Sequence, residues 1–519
     1  MVSAAGGAPR ILPFGASALL VEVDSLAAVA ELHARLQSSR PAGVVDLVPA
    51  ARTVLVRVDP GVLPVAAARA WIAHAPPAPP AASAVREVEL PITYDGPDLA
   101  DTAAVLGVGV DELVRRHREA VWTVAFTGFA PGFGYLVSED WPYDVPRLDA
   151  ARTRVPAGSV GLAGGFSGAY PRATPGGWRL IGRTDAVLFD PAASSPALLA
   201  PGTRVRFVPA APPSHGRAGV GAAAGAGIGG APAAVEVIAP GPLVTVQDLG
   251  RAGHAAEGIA RSGALDRAAL ATANRLVGNA PHAAGLEVTM GGCRLRARRD
   301  LVAVVTGAWG AISVDGRPVD PYTAFAWPAG AELHLHPFAD GVRAYLAVRG
   351  GFDAPVVAGS RATDVLAGLG RGPLAADETL ALAEDTAGDV PSLDLHPWGP
   401  PPHDELALAL SPGPRADWFA ASALDTLFTA TWTVTPDADR VGVRLDGPPL
   451  PRVREGELPS EGMVPGALQV PPSGRPTILC ADGPVTGGYP VIAVATDAAL
   501  DALAQARPGM RVRFRHARP

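Results

Sequence analysis

The sequence predicts a mainly β protein with α+β parts, built on a duplicated β domain and opened by a small N-terminal α+β domain. Three observations predict it. The 519 residues include 60 Gly and 54 Pro, a usage that favours turns and short strands over long helices. Between Phe126 and Pro191, short apolar runs such as Ser159–Ala163 and Arg179–Ile181 alternate with Gly and Pro, and no window is long enough for an unbroken helix; that pattern reads as strands joined by tight turns. The two halves also echo each other. Pro201-Gly-Thr-Arg-Val-Arg-Phe207 matches Pro508-Gly-Met-Arg-Val-Arg-Phe514. Upstream of these, Val155-Pro-Ala-Gly158 pairs with Val464-Pro-Gly-Ala467 and Pro175-Gly-Gly-Trp178 with Thr486-Gly-Gly-Tyr489, in the same order. Three matches in register argue for two related domains with one strand order. Related domains pack pseudo-symmetrically and ligands favour domain interfaces, so the two Gly-Gly-aromatic loops are expected to face a shared cleft.

Taken in order, residues 1–84 form the small α+β domain. Ser17–Val23, Val44–Val48 and Thr53–Val58 read as strands, Ser25 as the cap of a helix over Leu26–Leu36, and Ala66–Ala73 as a second helix. A Pro-rich connector at 75–83 closes this domain. The first β domain spans 85–208; Val85–Leu90 opens it, Asp101–Leu106 and Asp111–Arg118 carry helical patterning behind a capping Asp, and Trp122–Phe126 leads into the Gly/Pro-rich stretch. Residues 209–234 are a Pro/Ala/Gly linker and a domain boundary; Gly219-Val-Gly221 within it follows no strand and is not a dinucleotide loop. The second half, 235–518, opens with strands at Val235–Ile238 and Leu243–Val246. It contains a helix at Asp266–Val277, dissolves into short strands from Leu286 to Val348, and has an internal boundary near 386–403, after which the pattern is again β-like.

Composition excludes several function classes. A net charge of −7 argues against a nucleic-acid or anionic-membrane surface. No Lys occurs, so all 43 basic residues are Arg, and neither a biotinyl-lysine, a Schiff-base lysine nor a P-loop lysine can sit on this chain. Two cysteines, Cys293 and Cys480, make no disulfide framework and, with no His near either in sequence, read as packed thiols in a reduced, cytoplasmic protein. The first 20 residues lack a continuous apolar signal core, and no stretch is long enough to span a bilayer. Gly lets a ligand approach the backbone closely, which makes Pro131–Gly134 and Thr174–Trp178 candidate ligand loops.

The first half resembles the allophanate hydrolase subunit 1 family, also known as the B component of 5-oxoprolinase or the Kip type. The resemblance rests on Gly96–Leu99, His117, Gly128-Phe-Ala-Pro-Gly-Phe133, Pro146-Arg147, Val155–Val160, Tyr170-Pro171, Pro175–Trp178 and Ile181–Thr184. The second half resembles allophanate hydrolase subunit 2, the C component of 5-oxoprolinase, through Thr245–Arg251, Ser262-Gly263, Asp266, Gly278-Asn279, Leu286–Thr289, Thr306–Ala308, Gly359–Arg361, Arg440–Gly442, Gln469–Pro471, Asp482 and Thr486–Pro490. The resemblance implies cyclophilin-like β-barrel domains. It also implies a component of an ATP-dependent 5-oxoprolinase, which hydrolyses the lactam of 5-oxo-L-proline to L-glutamate with a separate LamB/YcsF-type A component. The alternative it carries is the carboxyltransferase region of a urea carboxylase (urea amidolyase), which here needs biotin on another chain. A second alternative, from the first half alone, is a Kip-type histidine-kinase regulator. Where the family has a Gln-Thr-Gly after a Lys or small residue, this chain has Gly165-Phe166-Ser167-Gly168, and Pro484-Val485 replaces a Gln-Thr pair.

Activating a lactam with ATP and Mg²⁺ needs cations or N–H donors around phosphate. Without lysine, backbone amides at Gly132, Gly176, Gly177, Gly487 and Gly488 and the side chains of Arg147, Arg251 and Arg361 are the candidates. His117 is the candidate general base. Asp248, Asp482 and Glu287 are candidates for Mg²⁺ or proton transfer. Gln469, Thr306 and Asn279 suit a lactam or ureido group, Trp178 and Tyr489 could stack on a ring, and Ser159, Gln247 and Thr486 are polar members of the same motifs.

Overall fold

A computed structural model of the chain describes residues 9–79, 86–150, 152–193, 195–210, 232–392, 398–456 and 458–518. Most of the expected 209–234 linker and part of the 75–83 connector lie outside the described residues.

Residues 10–58 form a four-stranded antiparallel sheet, in the order 10–14, 18–22, 53–58, 44–49, with the helices Leu26–Ser38 and Val65–His74 packed on one face. Ser25 Oγ accepts the Ala28 N–H at 3.1 Å, capping the first helix. The other face does not stay open: Phe14, Leu20, Val48 and Leu55 share one hydrophobic cluster with Met463, Val464, Ala467 and Val494 from the far end of the chain.

The first barrel uses nine strands: β1 (Glu87–Ile92), β2 (Trp122–Thr127), β3 (Gly134–Val137), β4 (Arg152–Val155), β5 (Ser159–Ala163), β6 (Phe166–Ala169), β7 (Thr174–Gly176), β8 (Arg179–Arg183) and β9 (Arg204–Pro209). Seven of them run in the order β8-β5-β6-β3-β2-β9-β1, and Thr93 pairs with Arg183 to bring the two edges together. β4 and β7 form a separate two-stranded flap.

The C-terminal barrel repeats this plan with β10 (Glu405–Pro412), β11 (Trp432–Ala438), β12 (Gly442–Asp446), β13 (Glu461–Gly462), β14 (Ala467–Gln469), β15 (Thr477–Leu479), β16 (Thr486–Gly487), β17 (Val491–Ala495) and β18 (Arg511–His516). Its closed order, β17-β14-β15-β12-β11-β18-β10, matches the first barrel strand for strand, and β13–β16 is the matching flap. In both barrels the first and last strands pair in parallel, Leu90 opposite Phe207 and Leu408 opposite Phe514. A short helix precedes the second strand in each, and the tryptophan opening that strand donates its indole N–H to a helix carbonyl: Trp122 to His117 at 3.0 Å and Trp432 to Leu427 at 3.2 Å. The echo in the sequence is a duplication in the fold.

Between the barrels, residues 235–380 form a six-stranded and a five-stranded sheet around a core that includes Val235, Leu295, Trp327, Leu346 and Phe352. The helix Arg267–Leu276 lies alongside, capped by Asp266, whose Oδ1 accepts the Ala269 N–H at 2.9 Å.

The structure departs from expectation at the short helices. Those of the first barrel run Leu99–Val105 and Val110–Glu119, so Asp101 and Asp111 lie in first turns rather than at caps; there they meet the positive end of the helix dipole. Ala421–Thr429 and Asp497–Leu503 are helical where the pattern read as β. Each is two turns long, and tertiary packing of Ala423, Leu427, Ala499 and Leu503 decides its state. No helix among the described residues is long and apolar enough to cross a membrane.

Candidate functional site at the seam of the two barrels

The loop joining β2 to β3 carries the Gly128–Phe133 motif. Phe129 adopts φ 64°, which turns its N–H toward the second barrel, where Thr486 Oγ1 accepts it at 2.8 Å. A Cβ on Gly128 would collide with the Thr486 side chain, so the residue there must be glycine. Tyr135, on β3, has its phenol close to the side chains of Ser460 and Thr486. Burial pushes its phenol pKa up, and those two hydroxyls with the nearby Arg147 charge pull part of the shift back. Trp178 packs edge-on to Tyr135 at 5.5 Å, with Phe133 and Tyr170 completing an aromatic wall. Tyr135 thus adjoins one residue of each Gly-Gly-aromatic loop, Trp178 of the first barrel and Thr486 of the second.

On the second barrel's side of the seam, Gln469 Nε2 donates to the Met463 thioether at 3.3 Å, a weak acceptor that a ligand carbonyl can displace. The amide lies against Gly487, where a Cβ would stand 2.7 Å from it. Tyr489 is 48% exposed at the outer edge of this flap, whereas Trp178 is buried in the aromatic wall. The Gly-Gly pairs sit in the flaps: Gly176 pairs with Arg152 on β4 and Gly487 with Glu461 on β13. Thr127 Oγ1 donates to the Ala256 carbonyl, and Ser262 N donates to the Ala481 carbonyl at 2.9 Å, so the 250–263 segment is wedged between the barrels.

A second cluster lies behind that segment. Arg440, 3% exposed, donates to Glu287 Oε1 at 2.6 Å, to both Asp482 oxygens at 2.9 and 3.0 Å, and to the Gly263 carbonyl at 2.7 Å. Burial alone would raise Glu287; Arg440 and Arg343, with bonds from Leu265 N and the Tyr345 hydroxyl, hold it below the usual range. Asp482 also accepts from Ser262 Oγ and Val365 N. Asp248 accepts from Gly250 N, Ser360 Oγ and Arg361 N. Arg251 donates to the carbonyls of Val357 and Ala362, and Gln247 to Thr245 and Thr363. Asp364 is fully buried beside Asp482, and burial first and that charge second push its carboxyl up. Asp266 is held at about 6 mainly by burial. The five residues Gln247, Asp248, Arg251, Glu287 and Asp482 are thus gathered; the three carboxylates are satisfied, while Gln247 Oε1 and Arg251 Nη1 are buried without a hydrogen-bond partner. The carboxylate oxygens are filled by arginine and backbone donors, and no group of three or more metal-ligating side chains occurs among the described residues; these carboxylates do not fit Mg²⁺.

Other expected site residues are structural. His117 is fully buried in the first barrel, bonded to Tyr94 at 2.8 Å and Ser167 at 2.9 Å, and burial drops its pKa to about 3. A ring wholly enclosed in the barrel core, with both nitrogens already hydrogen-bonded, offers no edge to a substrate, so the geometry speaks for a structural role rather than that of a general base. Gly132 (φ 84°) is closed off by Phe189 and Leu188. Ser159 is buried and its carbonyl accepts from Tyr170 N. Thr306 bonds the Ala269 carbonyl at 2.8 Å, and Asn279 bonds Asn274, Val348 and Gly350. Arg361 pairs with Asp353 and Asp385. Both cysteine thiols are pushed up to about 12 by burial, as packed thiols should be. Sequence reasoning misses Tyr135, Ser460 and Arg440. Tyr135 and Ser460 carry no local marker. Arg440 stands inside a recognised motif, and only the three-dimensional contact reveals its role.

Comparison with known proteins places these observations. The carboxyltransferase domain model for subdomains C and D matches residues 9–199, and that for subdomains A and B matches residues 257–516. The chain is 36% identical over 287 residues to the C component of 5-oxoprolinase from Escherichia coli (strain K12), covering 54% of this chain and 90% of that protein. It is 50% identical over 127 residues to the B component of 5-oxoprolinase from Escherichia coli O157:H7, covering 24% of this chain and 58% of that protein. Urea amidolyase of Lachancea kluyveri is 30% identical over 309 residues, which are 54% of this chain and 17% of that much longer protein. The crystal structure of TTHA0988 superposes with a TM-score of 0.84 at 36% identity, over 96% of this chain and 99% of that one. With its C/D-type half before its A/B-type half, the protein belongs to the carboxyltransferase domain family and joins in one chain a part similar to the B component of 5-oxoprolinase and a part similar to the C component.

Proposed function

We propose that the chain is the fused B–C component of an ATP-dependent 5-oxoprolinase, acting with a separate LamB/YcsF-type A component in the cytoplasm to open 5-oxo-L-proline to L-glutamate. The observation that carries this reading is the seam: Tyr135, Ser460, Thr486 and Gln469 place three hydroxyls and a loosely held amide around one aromatic wall, with the Arg147 charge close by. A flat lactam ring suits that wall, its carbonyl and N–H suit the hydroxyls and amide, and its carboxylate suits a guanidinium. The chain's own residues bind and orient the lactam and exclude water from its faces. ATP with Mg²⁺ would supply the activation of the lactam carbonyl, and because the buried carboxylates do not fit Mg²⁺, no step runs through them.

The test is to purify the chain with a LamB/YcsF-type partner and measure ATP-dependent glutamate release from 5-oxoproline. Release that requires both chains and ATP supports the reading. The similarity to urea amidolyase favours one other chemistry, carboxyl transfer from a biotinylated carrier. Transfer with such a carrier, without glutamate release, would replace the first reading. Binding to a sensor kinase with neither activity would assign the chain to the regulators.

A further inference from the structure

Each flap is tethered by one ion pair, and the two pairs occupy the same place in the two barrels with opposite polarity. In the first barrel the flap residue opposite Gly176 is Arg152. Its Nη2 donates to Asp98 Oδ1 at 2.6 Å, and the other oxygen of Asp98 accepts Leu180 N at 2.7 Å. Asp98 is 8% exposed by side chain and lies in the connection that follows β1. In the second barrel the flap residue opposite Gly487 is Glu461. Arg415 grips both of its oxygens, through Nε at 3.1 Å and through Nη2. Arg415 lies in the connection that follows β10, and each partner is 3% exposed. Its remaining nitrogen reaches Glu22 of the N-terminal sheet at 3.2 Å.

In both barrels, then, the residue across from the first glycine of the Gly-Gly-aromatic loop carries a charge, and the connection after the barrel's first strand carries its partner. Strand order explains why the flaps lie at matching positions; it does not require either ion pair. A two-stranded ribbon only two to four residues long holds itself weakly. Something outside it must fix its height above the barrel, and a hydrogen-bonded pair with a buried anchor does this with directional bonds: Asp98 is the buried partner of the 30% exposed Arg152, and in the second flap both partners are buried.

We propose that Asp98 and Arg415 are positioning residues that set, through Arg152 and Glu461, the placement of the two loops the seam presents to its ligand: Gly176–Trp178 from one barrel and Thr486–Gly488 from the other. The proposal rests on the seam being the ligand site, and it makes the loops separately adjustable. Weakening Asp98 loosens the aromatic side of the seam, and weakening Arg415 loosens the hydroxyl side.

Hydrogen–deuterium exchange on the full chain tests this without any assumption about the reaction. Asp98→Asn is expected to speed amide exchange in 152–155 and 174–178 about tenfold while 460–463 and 486–489 stay within about twofold, and Arg415→Gln is expected to do the reverse. Asp98→Glu, which keeps the charge, is expected to recover most of the protection, and Arg415→Lys, which keeps the charge but not the two-pronged grip on Glu461, part of it. If Arg415→Gln does not fold, Arg415→Lys is read instead, with an intermediate acceleration confined to the second flap. Unchanged flap exchange, or acceleration spread equally over all barrel strands, overturns the proposal. With the LamB/YcsF-type partner and ATP present, the expected effect is a KM for 5-oxoproline raised about tenfold with kcat changed less than about threefold; unchanged KM in both variants overturns a role in ligand placement. Absence of turnover by the unmodified chain would defeat the 5-oxoprolinase reading alone, since the exchange result stands without it.

Discussion

The loop after the second strand does opposite work in the two barrels. In the first it is Gly128–Phe133, which docks onto the second barrel through a backbone N–H, a left-handed phenylalanine and a glycine with no room for a Cβ. In the second it is Asp439–Val441, which docks onto the middle domain through the single side chain of Arg440, bonded there to Glu287 and the Gly263 carbonyl and held by Asp482 of its own barrel. One scaffold position thus serves twice as a connector, once by shape and once by charge. The interiors diverged in the same manner: His117 stands where the matching helix of the second barrel has Leu427, each carbonyl receiving the indole N–H of the following tryptophan. The difference teaches that duplication preserved backbone pairing and let contact chemistry drift. Docking by charge should be brittle, because a buried ion left without its partner is costly, while docking by shape should fail gradually.

The sharpest way to break the comparison is Arg440→Met. It strands Glu287 and Asp482, and an unfolding free energy lower by roughly 3–5 kcal/mol is expected from denaturant titration; a loss below about 1 kcal/mol would show that charge docking is no more brittle than shape docking. Next comes pH. Asp266 has its carboxyl raised to about 6, so the folded chain holds that proton more tightly than the unfolded one. The stabilisation is complete below about pH 4 and is lost as pH rises through about 6, a swing on the order of 2–3 kcal/mol. Asp266→Asn should flatten that slope in melting curves taken between about pH 4 and 7. His117→Leu makes the first barrel resemble the second. It leaves the Tyr94 and Ser167 hydroxyls short of a partner and should cost about 1–3 kcal/mol, yet the pH dependence of any turnover near neutrality should not move, because the ring is already neutral there. The smallest effect is expected for Tyr135→Phe, which removes one phenol from the seam: about 1 kcal/mol of stability, with a larger proportional change in ligand affinity than in melting temperature.

What can be read in the sequence follows from distance along the chain. Turn chemistry is local, so the Gly/Pro rhythm marks the strands between Phe126 and Pro191, and the repeated Pro-Gly-x-Arg-Val-Arg-Phe segments mark β9 and β18. Ser25 and Asp266 are legible as caps because a cap is made with a residue three positions on. Glu287, Asp482, Asp248, Gln247 and Arg251 are legible as a group through motif resemblance, and the structure does gather them. Their chemistry is not legible, since Arg440, the residue that satisfies two of them, lies 153 residues from Glu287 and 42 from Asp482. Tyr135 escapes for the same reason. Its meaning lies in Ser460 and Thr486, and no local pattern around it hints at them. His117 reads wrongly as a base because a helix-end histidine looks alike in sequence whether its ring faces solvent or the Trp122 and Phe207 rings that pack against it.

The hydrophobic cluster shared by Phe14, Leu20, Val48 and Leu55 with Met463, Val464, Ala467 and Val494 means that the beginning and the end of this polypeptide are halves of one interior. Were these two parts separate chains, each would have to find its other half by diffusion. Here the connection between the halves makes that encounter intramolecular, at an effective concentration on the order of millimolar. Fusion thereby secures equal amounts of the two halves and keeps an adhesive surface from meeting the wrong chain.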